Sequence, residues 1–272
     1  MTALLRPEQL DKAKRYVFSQ GRLLDRQLFA YFFANGTQQA CLKALLAYQN
    51  DDGGFGNGLE PDLSCPDSSM IGAETALYTL ELLDNHDEGI IGDITTWIKT
   101  NQRDDGTISH PPKSLFDYPH RPWWEAPDKE RILALAGILN KFGYEDRAFY
   151  EKVRSFYLTT SIPEGDFYYS YPFFIYLKYC GQGTEDSTQL TRIIDGLPTF
   201  LQEHRGFFPL FNRLWYHAAD FVEKDLVTQV AADLVNAVED DGCFINPYPD
   251  LPWWRPIHTV DGLILLRKRN FI

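Results

Sequence analysis

Three stretches of the sequence, residues 56–70, 107–130 and 243–262, each hold carboxylates, and the second and third also hold histidines and four of the six tryptophans. Two carboxyl groups in different environments can act as general acid and general base, and tryptophan rings can hold a cation or stack on a sugar. We therefore take these stretches as the candidate site. The candidate catalytic residues are Glu60, Asp62, His258 and Asp261, and the candidate substrate-binding residues are Trp123, Trp124, Glu125, Tyr248, Trp253, Trp254 and Arg255.

These residues also have structural interpretations. Glu60 precedes a proline, whose fixed φ makes the local backbone rigid and orients the Glu60 side chain. A solvated carboxylate in a loop fits the same pattern. Glu74 and Asp261 lie early in predicted helices, where a carboxylate stabilises the positive end of the helix dipole. Residues 129–131 are expected to form a solvated first turn, and the tryptophans to pack in the core if they bind nothing.

The same short pattern ends a predicted helix three times. It reads Gln49-Asn-Asp-Asp-Gly-Gly-Phe55, then Gln102-Arg-Asp-Asp-Gly-Thr-Ile108, then Val238-Glu-Asp-Asp-Gly-Cys-Phe244. Pro-Trp-Trp follows the second and third copies, at residues 122–124 and 252–254. Glycine allows a positive φ and aspartate bonds nearby backbone amides, so we expect Asp52, Asp105 and Asp241 to form turns.

Apolar residues recur at the i, i+3, i+4 spacing of amphipathic helices, and alternation typical of strands is nearly absent. The sequence therefore predicts an all-α protein. Twelve helices are predicted, near residues 7–19, 22–34, 37–49, 69–84, 90–101, 128–142, 146–159, 168–180, 187–203, 212–222, 224–238 and 257–268.

Composition narrows the classes of function. The 272 residues include 38 acidic and 26 basic side chains, a net charge of −12 that disfavours nucleic acid as a partner. The four cysteines form no CxxC pair, and neither a signal peptide nor a transmembrane segment is evident in the sequence, so we expect a reduced, cytoplasmic protein. No nucleotide-binding glycine loop and no GxSxG elbow is present.

The Gln-x-x-Asp-Gly-Gly-Phe pattern of residues 49–55 resembles the repeat of the terpenoid cyclases and protein prenyltransferases. The loop Gly58-Leu-Glu-Pro-Asp62 is similar to that of uncharacterised bacterial members of this superfamily. The resemblance implies a single domain, residues 1–272, folded as an α/α toroid of about six helical hairpins. It also implies that the three loop stretches meet at one concave mouth, where such a fold binds its ligand.

The chain departs from the superfamily at its catalytic motifs. The Asp-x-Asp-Asp acid motif of the cyclases lacks its first aspartate in all three copies, and no Asp-Asp-x-x-Asp run for magnesium is present. The prenyltransferase resemblance implies Asp241, Cys243 and His258 as zinc ligands, but the histidine falls within the same repeat as the cysteine instead of a later one. We therefore expect no cofactor, with Cys243 in the core and His258 near a helix start.

Three functions remain open, each with a small-molecule partner. The first is acid-initiated cyclisation or isomerisation of an isoprenoid, with Glu60 or Asp62 as proton donor. The second is a carbohydrate-active hydrolase or lyase with two carboxylates as acid and base. The third is a binding module for a hydrophobic ligand, without catalysis.

Overall fold

Helices make up the regular structure of residues 5–163 and 167–272, the part of the chain that the computed structural model describes. Within these ranges β-pairing is limited to isolated bridges, so the all-α prediction is confirmed. No described helix is both long and apolar enough to cross a bilayer. The α-helices are α1 (Pro7–Gln20), α2 (Leu23–Phe33), α3 (Gln38–Leu46), α4 (Met70–Leu82), α5 (Glu88–Asn101), α6 (Arg131–Lys141), α7 (Arg147–Thr159), α8 (Phe167–Cys180), α9 (Gly183–Glu203), α10 (Lys224–Asn236) and α11 (Trp254–Lys268).

The chain divides into two compact units. The middle unit is residues 46–193, and the terminal unit combines the chain up to residue 45 with residues 194–272. The single domain over residues 1–272 stays a prediction.

In the middle unit, helices buried on all sides alternate with helices buried on one face. Twelve of the 13 residues of α4 and eight of the 11 residues of α6 are buried, against five of the 14 residues of α5. Helix α6 packs against α4, α7 and α8. Helices α4 and α6 therefore form the core of this unit.

In the terminal unit, α11 is the buried helix. It packs against α1 and α2, and 11 of its 15 residues are buried, against five of the 13 residues of α10. An amphipathic helix covers a core with one face, whereas an apolar one must be surrounded. Of the functional candidates on α11, Trp254 and Asp261 are therefore buried inside the unit, whereas Arg255 and His258 are partly exposed.

The three Asp-Asp-Gly segments form the same turn. Each closes with one antiparallel bridge, between residues 49 and 55, 102 and 108, and 238 and 244. The second aspartate accepts a backbone N–H two residues later, so the turn-forming role is confirmed. These bonds are Gly54 N to Asp52 Oδ1 at 2.9 Å, Thr107 N to Asp105 Oδ1 at 3.0 Å, and Cys243 N to Asp241 Oδ1 at 3.0 Å.

The glycine of each turn packs against the backbone of another helix. Gly106 has φ +85°, and a Cβ there would lie 2.4 Å from the carbonyl oxygen of Lys152 in α7. Gly242 has φ +87°, and a Cβ there would lie 2.4 Å from the backbone nitrogen of Ala13 in α1. The repeat thus requires glycine twice over, for its backbone conformation and for this close approach.

One of the twelve predicted helices is wrong. Residues 212–222 do not form an α-helix but continue a series of short 3₁₀ helices, Pro209–Phe211 and Tyr216–Asp220. The Asn212 side chain accepts the N–H groups of Leu214 and Trp215, at 3.0 and 3.4 Å. These bonds are of the N-cap type, but the backbone that follows pairs at 3₁₀ spacing, because Ala218 donates its N–H to the carbonyl of Trp215 and Phe221 donates its N–H to that of Ala218.

Candidate functional site

The loop that carries Glu60 and Asp62 is fixed at both ends. Ser69 donates its N–H to the carbonyl of Phe55 at 3.0 Å, and its hydroxyl caps α4 by accepting the N–H of Gly72 at 3.1 Å. Asn50 Nδ2 donates to the carbonyl of Pro66 at 2.8 Å. The first turn of the repeat therefore positions the loop that follows it.

Glu60 and Asp62 are buried, with 7% and 5% of their surface exposed. The Thr75 hydroxyl of α4 donates to Glu60 Oε2 at 3.2 Å, and the indole Nε1 of Trp124 donates to Asp62 Oδ1 at 2.9 Å. The interpretation of Glu60 as a solvated loop carboxylate is therefore wrong. The predicted convergence of Asp62 with a tryptophan of the Pro-Trp-Trp segment is present in this unit.

Backbone pairing between two loops brings these residues together. Ser64 donates its N–H to the carbonyl of Pro119 at 3.0 Å, and Arg121 donates its N–H to the carbonyl of Asp62 at 3.1 Å. Leu63 and His120 form an antiparallel bridge between them. The loop before α4 and the loop before α6 are thus held side by side.

A third buried carboxylate completes the group. Glu74 of α4 forms an ion pair with Arg131 of α6, which also pairs with Asp128. The Arg131 guanidinium lies 6.0 Å from the centre of the Trp124 ring, on its face. Only 15% of the Arg131 side chain is exposed, so this residue is largely buried. Its assignment to a solvated first turn is therefore wrong.

Tyr171 of α8 faces Glu74. Burial and the charge of Glu74 raise the pKa of its phenol well above the ordinary value, so the phenol stays protonated. The Glu74 oxygen Oε1 is buried and has no hydrogen-bond partner among the described residues. We call Glu60, Asp62, Glu74, Trp124, Arg131 and Tyr171 the middle cluster.

The remaining candidates of the middle unit lie at its surface. Trp123 is 47% exposed, with the Arg121 guanidinium 5.2 Å from its ring centre. Glu125 is exposed and lies 3.3 Å from His120 Nε2. A hydrogen bond to the carbonyl of Tyr118, with a smaller effect of Glu125, raises the pKa of His120. These residues surround the loop and do not belong to the middle cluster.

The terminal unit contains a second group of candidates. Arg213 Nε donates to Asp261 Oδ2 at 3.2 Å, and its guanidinium lies 5.4 Å from the centre of the Trp254 ring. His258 stacks on Trp254 with ring centres 5.2 Å apart, and the Tyr248 ring centre is 6.0 Å from His258. We call these five residues the terminal cluster.

A buried aspartate that the sequence analysis missed lies near Asp261. Asp25 of α2 is buried and pairs with Arg22 at 3.1 Å. Burial raises the pKa of Asp261, Asp25 adds to the rise, and Arg213 and Arg22 oppose it. Burial lowers the pKa of His258 to about 3, and the charge of Arg213 acts in the same direction, so this imidazole is neutral at pH 7.

Arg255 and Trp253 lie apart from these contacts. Arg255 Nη1 lies 2.7 Å from Asp241 Oδ2, and its guanidinium is 4.9 Å from the centre of the Tyr16 ring, so it anchors the third turn to α1. Trp253 is 46% exposed. Each Pro-Trp-Trp segment therefore has one half-exposed and one buried tryptophan.

The residues considered for zinc have other contacts. Asp241 accepts a backbone hydrogen bond within its own turn and pairs with Arg255. Burial raises the pKa of Cys243 to about 12, which disfavours the thiolate. No group of three or more His, Cys, Asp and Glu side chains that could hold a metal ion is present in residues 5–163 and 167–272.

Neither Arg131 nor Arg213 was predicted as a site residue from the sequence. Arg131 follows Asp128 by one helical turn at the start of α6, a spacing that could have indicated a fixed ion pair. Arg213 lies in the segment predicted as a helix, and nothing in the sequence around it signals its contact with α11. In both units an arginine covers the buried tryptophan and pairs with a carboxylate of a buried helix.

No family model, curated protein or solved structure matches this chain. The resemblance to the terpenoid cyclases and prenyltransferases therefore rests on the motif residues alone.

Proposed function

We propose that this protein is an enzyme that transfers a proton to and from an apolar small molecule, with an isoprenoid as the substrate class. The middle cluster supports this proposal, because it joins three buried carboxyl groups to an aromatic ring and one guanidinium. Buried carboxyl groups can act as general acid and general base toward an apolar substrate, and aromatic faces stabilise developing positive charge.

An α/α toroid is the architecture that we propose for this enzyme. Nearly fully buried helices alternate in the chain with helices buried on one face, as inner and outer helices of a toroid would. The turn after α3 packs on α5, the turn after α5 packs on α7, and the turn after α10 packs on α1. The last contact follows the order of a closed ring, in which the final outer helix is followed by the first.

The proposed reaction begins with a carboxylic acid of the cluster, Glu60 or Asp62. Its O–H proton moves to one carbon of a substrate double bond, so that a C–H bond forms, the π bond breaks, and the neighbouring carbon becomes a cation. The cation shifts its double bond or closes a ring, and then loses a proton from an adjacent carbon to a carboxylate. Atoms and charge balance without a further reactant, and Trp124 would face the cation.

Deuterium incorporation tests this reaction. Isoprenoid alkenes of increasing length are incubated with the protein in D₂O, and the products are analysed by mass spectrometry. We expect an isomer of the substrate with one deuterium on carbon. Glu60→Gln keeps the shape of the side chain but removes its proton, so turnover should fall by about two orders of magnitude or more.

Glu125→Gln is the matched control, since Glu125 is exposed on the neighbouring loop. It should leave the rate of deuterium incorporation unchanged. A folded Glu60→Gln protein with wild-type turnover would remove Glu60 from the mechanism, and loss of turnover in Asp62→Asn alone would assign the acid to Asp62.

A carbohydrate-active enzyme is the second candidate, and the half-exposed ring of Trp123 favours it. A tryptophan ring that is half exposed can stack on a sugar, and the exposed carboxylate of Glu125 on the same loop could act as acid or base. Binding of a panel of oligosaccharides, followed through tryptophan fluorescence, tests this candidate. Trp123→Ala should abolish the response, and release of reducing ends would identify hydrolysis.

A further inference from the structure

The ring of His120 lies between two hydrogen-bond acceptors. Its Nδ1 atom is 2.8 Å from the carbonyl oxygen of Tyr118, and its Nε2 atom is 3.3 Å from the carboxylate oxygen Oε1 of Glu125. A neutral imidazole has one N–H group and can donate to one of these oxygens, while its other nitrogen presents a lone pair to the second. An imidazolium donates to both. The position of the ring therefore favours its doubly protonated form.

Glu125 is the charged partner of this ring within its loop. The hydrogen bond to the Tyr118 carbonyl raises the pKa of His120 most, burial opposes the rise, and the hydrogen bond and charge of Glu125 add to it. Asp117 of the same loop is exposed, and the guanidinium of Arg121 lies over a neighbouring indole ring. The two acceptors of the ring thus act in the same direction on its proton.

The first acidic loop packs against this segment. Leu63 is opposite His120 in the antiparallel bridge and contributes an apolar side chain there. The titratable groups beside Leu63 have other partners, because Asp62 accepts an indole N–H and the thiol of Cys65 lies 3.1 Å from a serine hydroxyl. The charge of His120 is therefore matched by Glu125 and not by a group of the first loop.

A second histidine lies close to Trp124 but titrates at lower pH. His110 Nε2 donates to the carbonyl of Trp124 at 2.9 Å. Burial lowers the pKa of His110, and the opposing effect of Asp128 is smaller. A proton-linked change in this loop above the ordinary pKa of histidine is therefore expected from His120.

The bond from His120 to Glu125 closes the segment that carries Trp124. Residues 119 and 121, on either side of His120, are hydrogen-bonded to the backbone of the first loop. The 3₁₀ helix Pro122–Glu125 follows, and its last two residues are Trp124 and Glu125. A bond from the ring to Glu125 fixes the end of this helix relative to the paired backbone, and with it the indole that donates to Asp62.

We propose that His120 is a pH-sensitive switch for the middle cluster. Its doubly protonated ring holds the 3₁₀ helix in place, and loss of one proton to solvent releases the end of that helix. The neutral ring retains one of its two hydrogen bonds, while its other nitrogen repels the oxygen that it faces. The bond from Trp124 to Asp62 then opens more often.

The direction of the effect follows from the acceptors around the ring. Because they favour the charged form, the stability that the switch contributes is complete below the ordinary pKa of histidine. It is lost as the pH rises through the higher pKa of His120 in the folded protein. The middle cluster should therefore be held most firmly in mildly acidic solution.

This inference concerns the geometry of the cluster and does not depend on the reaction proposed for it, so its test needs no substrate. Histidine titration and hydrogen exchange are followed by NMR in the full-length protein from about pH 5.5 to 8.5. Protection factors, taken relative to an unstructured peptide at the same pH, remove the pH dependence of exchange itself. We expect His120 to titrate above pH 6.5, with both ring nitrogens protonated below the transition.

The hydrogen bonds that join the two loops report on the switch. The protection factors of the Ser64 and Arg121 amides and of the Trp124 indole should fall about threefold as His120 loses its proton. This is the size expected for the loss of one partly exposed ion pair, since 48% of the Glu125 side chain is exposed.

His120→Gln keeps a hydrogen-bond donor but has no proton to lose, so the protection factors should become independent of pH over this range. Glu125→Gln keeps an acceptor for Nε2 without its charge, so it leaves the segment in place and should lower the pKa of His120. His86→Gln is the matched control, because His86 belongs to the same unit but its ring packs on Phe142. It should change neither the titration of His120 nor the protection factors.

Three results would overturn the proposal. They are a His120 that carries one ring proton throughout this pH range, protection factors that stay constant through its titration, and an equal fall in protection in His120→Gln, which would assign the effect to another group. The first two are measured on the wild-type protein, so the proposal can fail even if His120→Gln does not fold.

Discussion

The indole N–H of Trp124 donates to the carboxylate of Asp62 over 2.9 Å, across 62 positions of sequence. Both residues are buried, and each comes from a loop that precedes a buried helix. This bond is the direct link between the first acidic loop and the Pro-Trp-Trp segment. It fixes the orientation of the Asp62 carboxyl group, which was one of the two proton donors proposed from the sequence.

Trp124→Phe should destabilise the protein by about 2 kcal/mol. The phenyl ring retains much of the apolar contact but removes a hydrogen bond from a buried carboxylate, whose loss costs roughly 1–3 kcal/mol. Trp123→Phe is the control, since this neighbouring ring is half exposed, and it should change stability by less than about 0.5 kcal/mol. Urea denaturation measures both. Equal losses in the two variants would mean that the hydrogen bond contributes little.

The sequence indicated the middle cluster only in part. Local patterns identified Glu60, Asp62 and Trp124 as candidate site residues, because acidic residues, prolines and tryptophans occur together in the predicted loops. The partners Arg131 and Tyr171 come from helices, where an arginine on a first turn and a tyrosine in an aromatic run have ordinary local explanations. Their roles arise from the packing of α4, α6 and α8, which no local pattern specifies.

Arg131→Met should cost about 3–5 kcal/mol, because it leaves the buried carboxylate of Glu74 without its counter-charge. Adding Glu74→Leu should recover most of this loss, since an apolar pair can replace a buried ion pair at little cost. The exposed pair Arg147 and Glu151 is the control, and Arg147→Met should change stability by less than about 0.5 kcal/mol. If Glu74→Leu worsens the loss, the ion pair is not the dominant interaction of Arg131.

The helices were predicted well except over residues 212–222. Eleven segments with helical apolar spacing are helices, within a few residues at each end. Residues 212–222 have suitable spacing too, but their backbone pairs three residues apart, as from the N–H of Ala218 to the carbonyl of Trp215, and forms a short 3₁₀ helix. The hydrophobic pattern of so short a segment does not separate 3₁₀ pairing from α-helical pairing.

Gly106→Ala should destabilise the protein by about 2 kcal/mol or more. Its φ of +85° is unfavourable for alanine, and the new methyl group would lie 2.4 Å from the carbonyl oxygen of Lys152. Gly92→Ala is the matched change in the same unit, at an exposed position of α5 with no atom within 4 Å of the new methyl group. It should stabilise the protein by up to about 1 kcal/mol, because alanine favours helix. Thermal unfolding with opposite shifts in Tm would support this role of the turn glycine.

The neutral imidazole of His258 links stability to pH. Its pKa is lowered from 6.5 to about 3 in the folded protein, so as the pH falls below 6.5 the unfolded chain binds a proton that the folded protein does not. The stability that depends on this neutral ring is complete above pH 6.5 and is lost toward pH 3, by at most about 1.4 kcal/mol per pH unit. Asp261 acts in the opposite direction, because burial raises its pKa and favours proton uptake by the folded state at low pH.

A comparison of variants separates the two effects. Denaturation is measured between pH 7.5 and 4.5 for the wild-type protein, His258→Phe and the control His204→Phe, all of which retain Asp261. The free energy of unfolding of His258→Phe should rise relative to that of the wild-type protein as the pH falls, by about 2–3 kcal/mol over this range. The difference between His204→Phe and the wild-type protein should change less. Parallel curves for the wild-type protein and His258→Phe would mean that His258 gains its proton in the folded state, and its neutral character would be disproved.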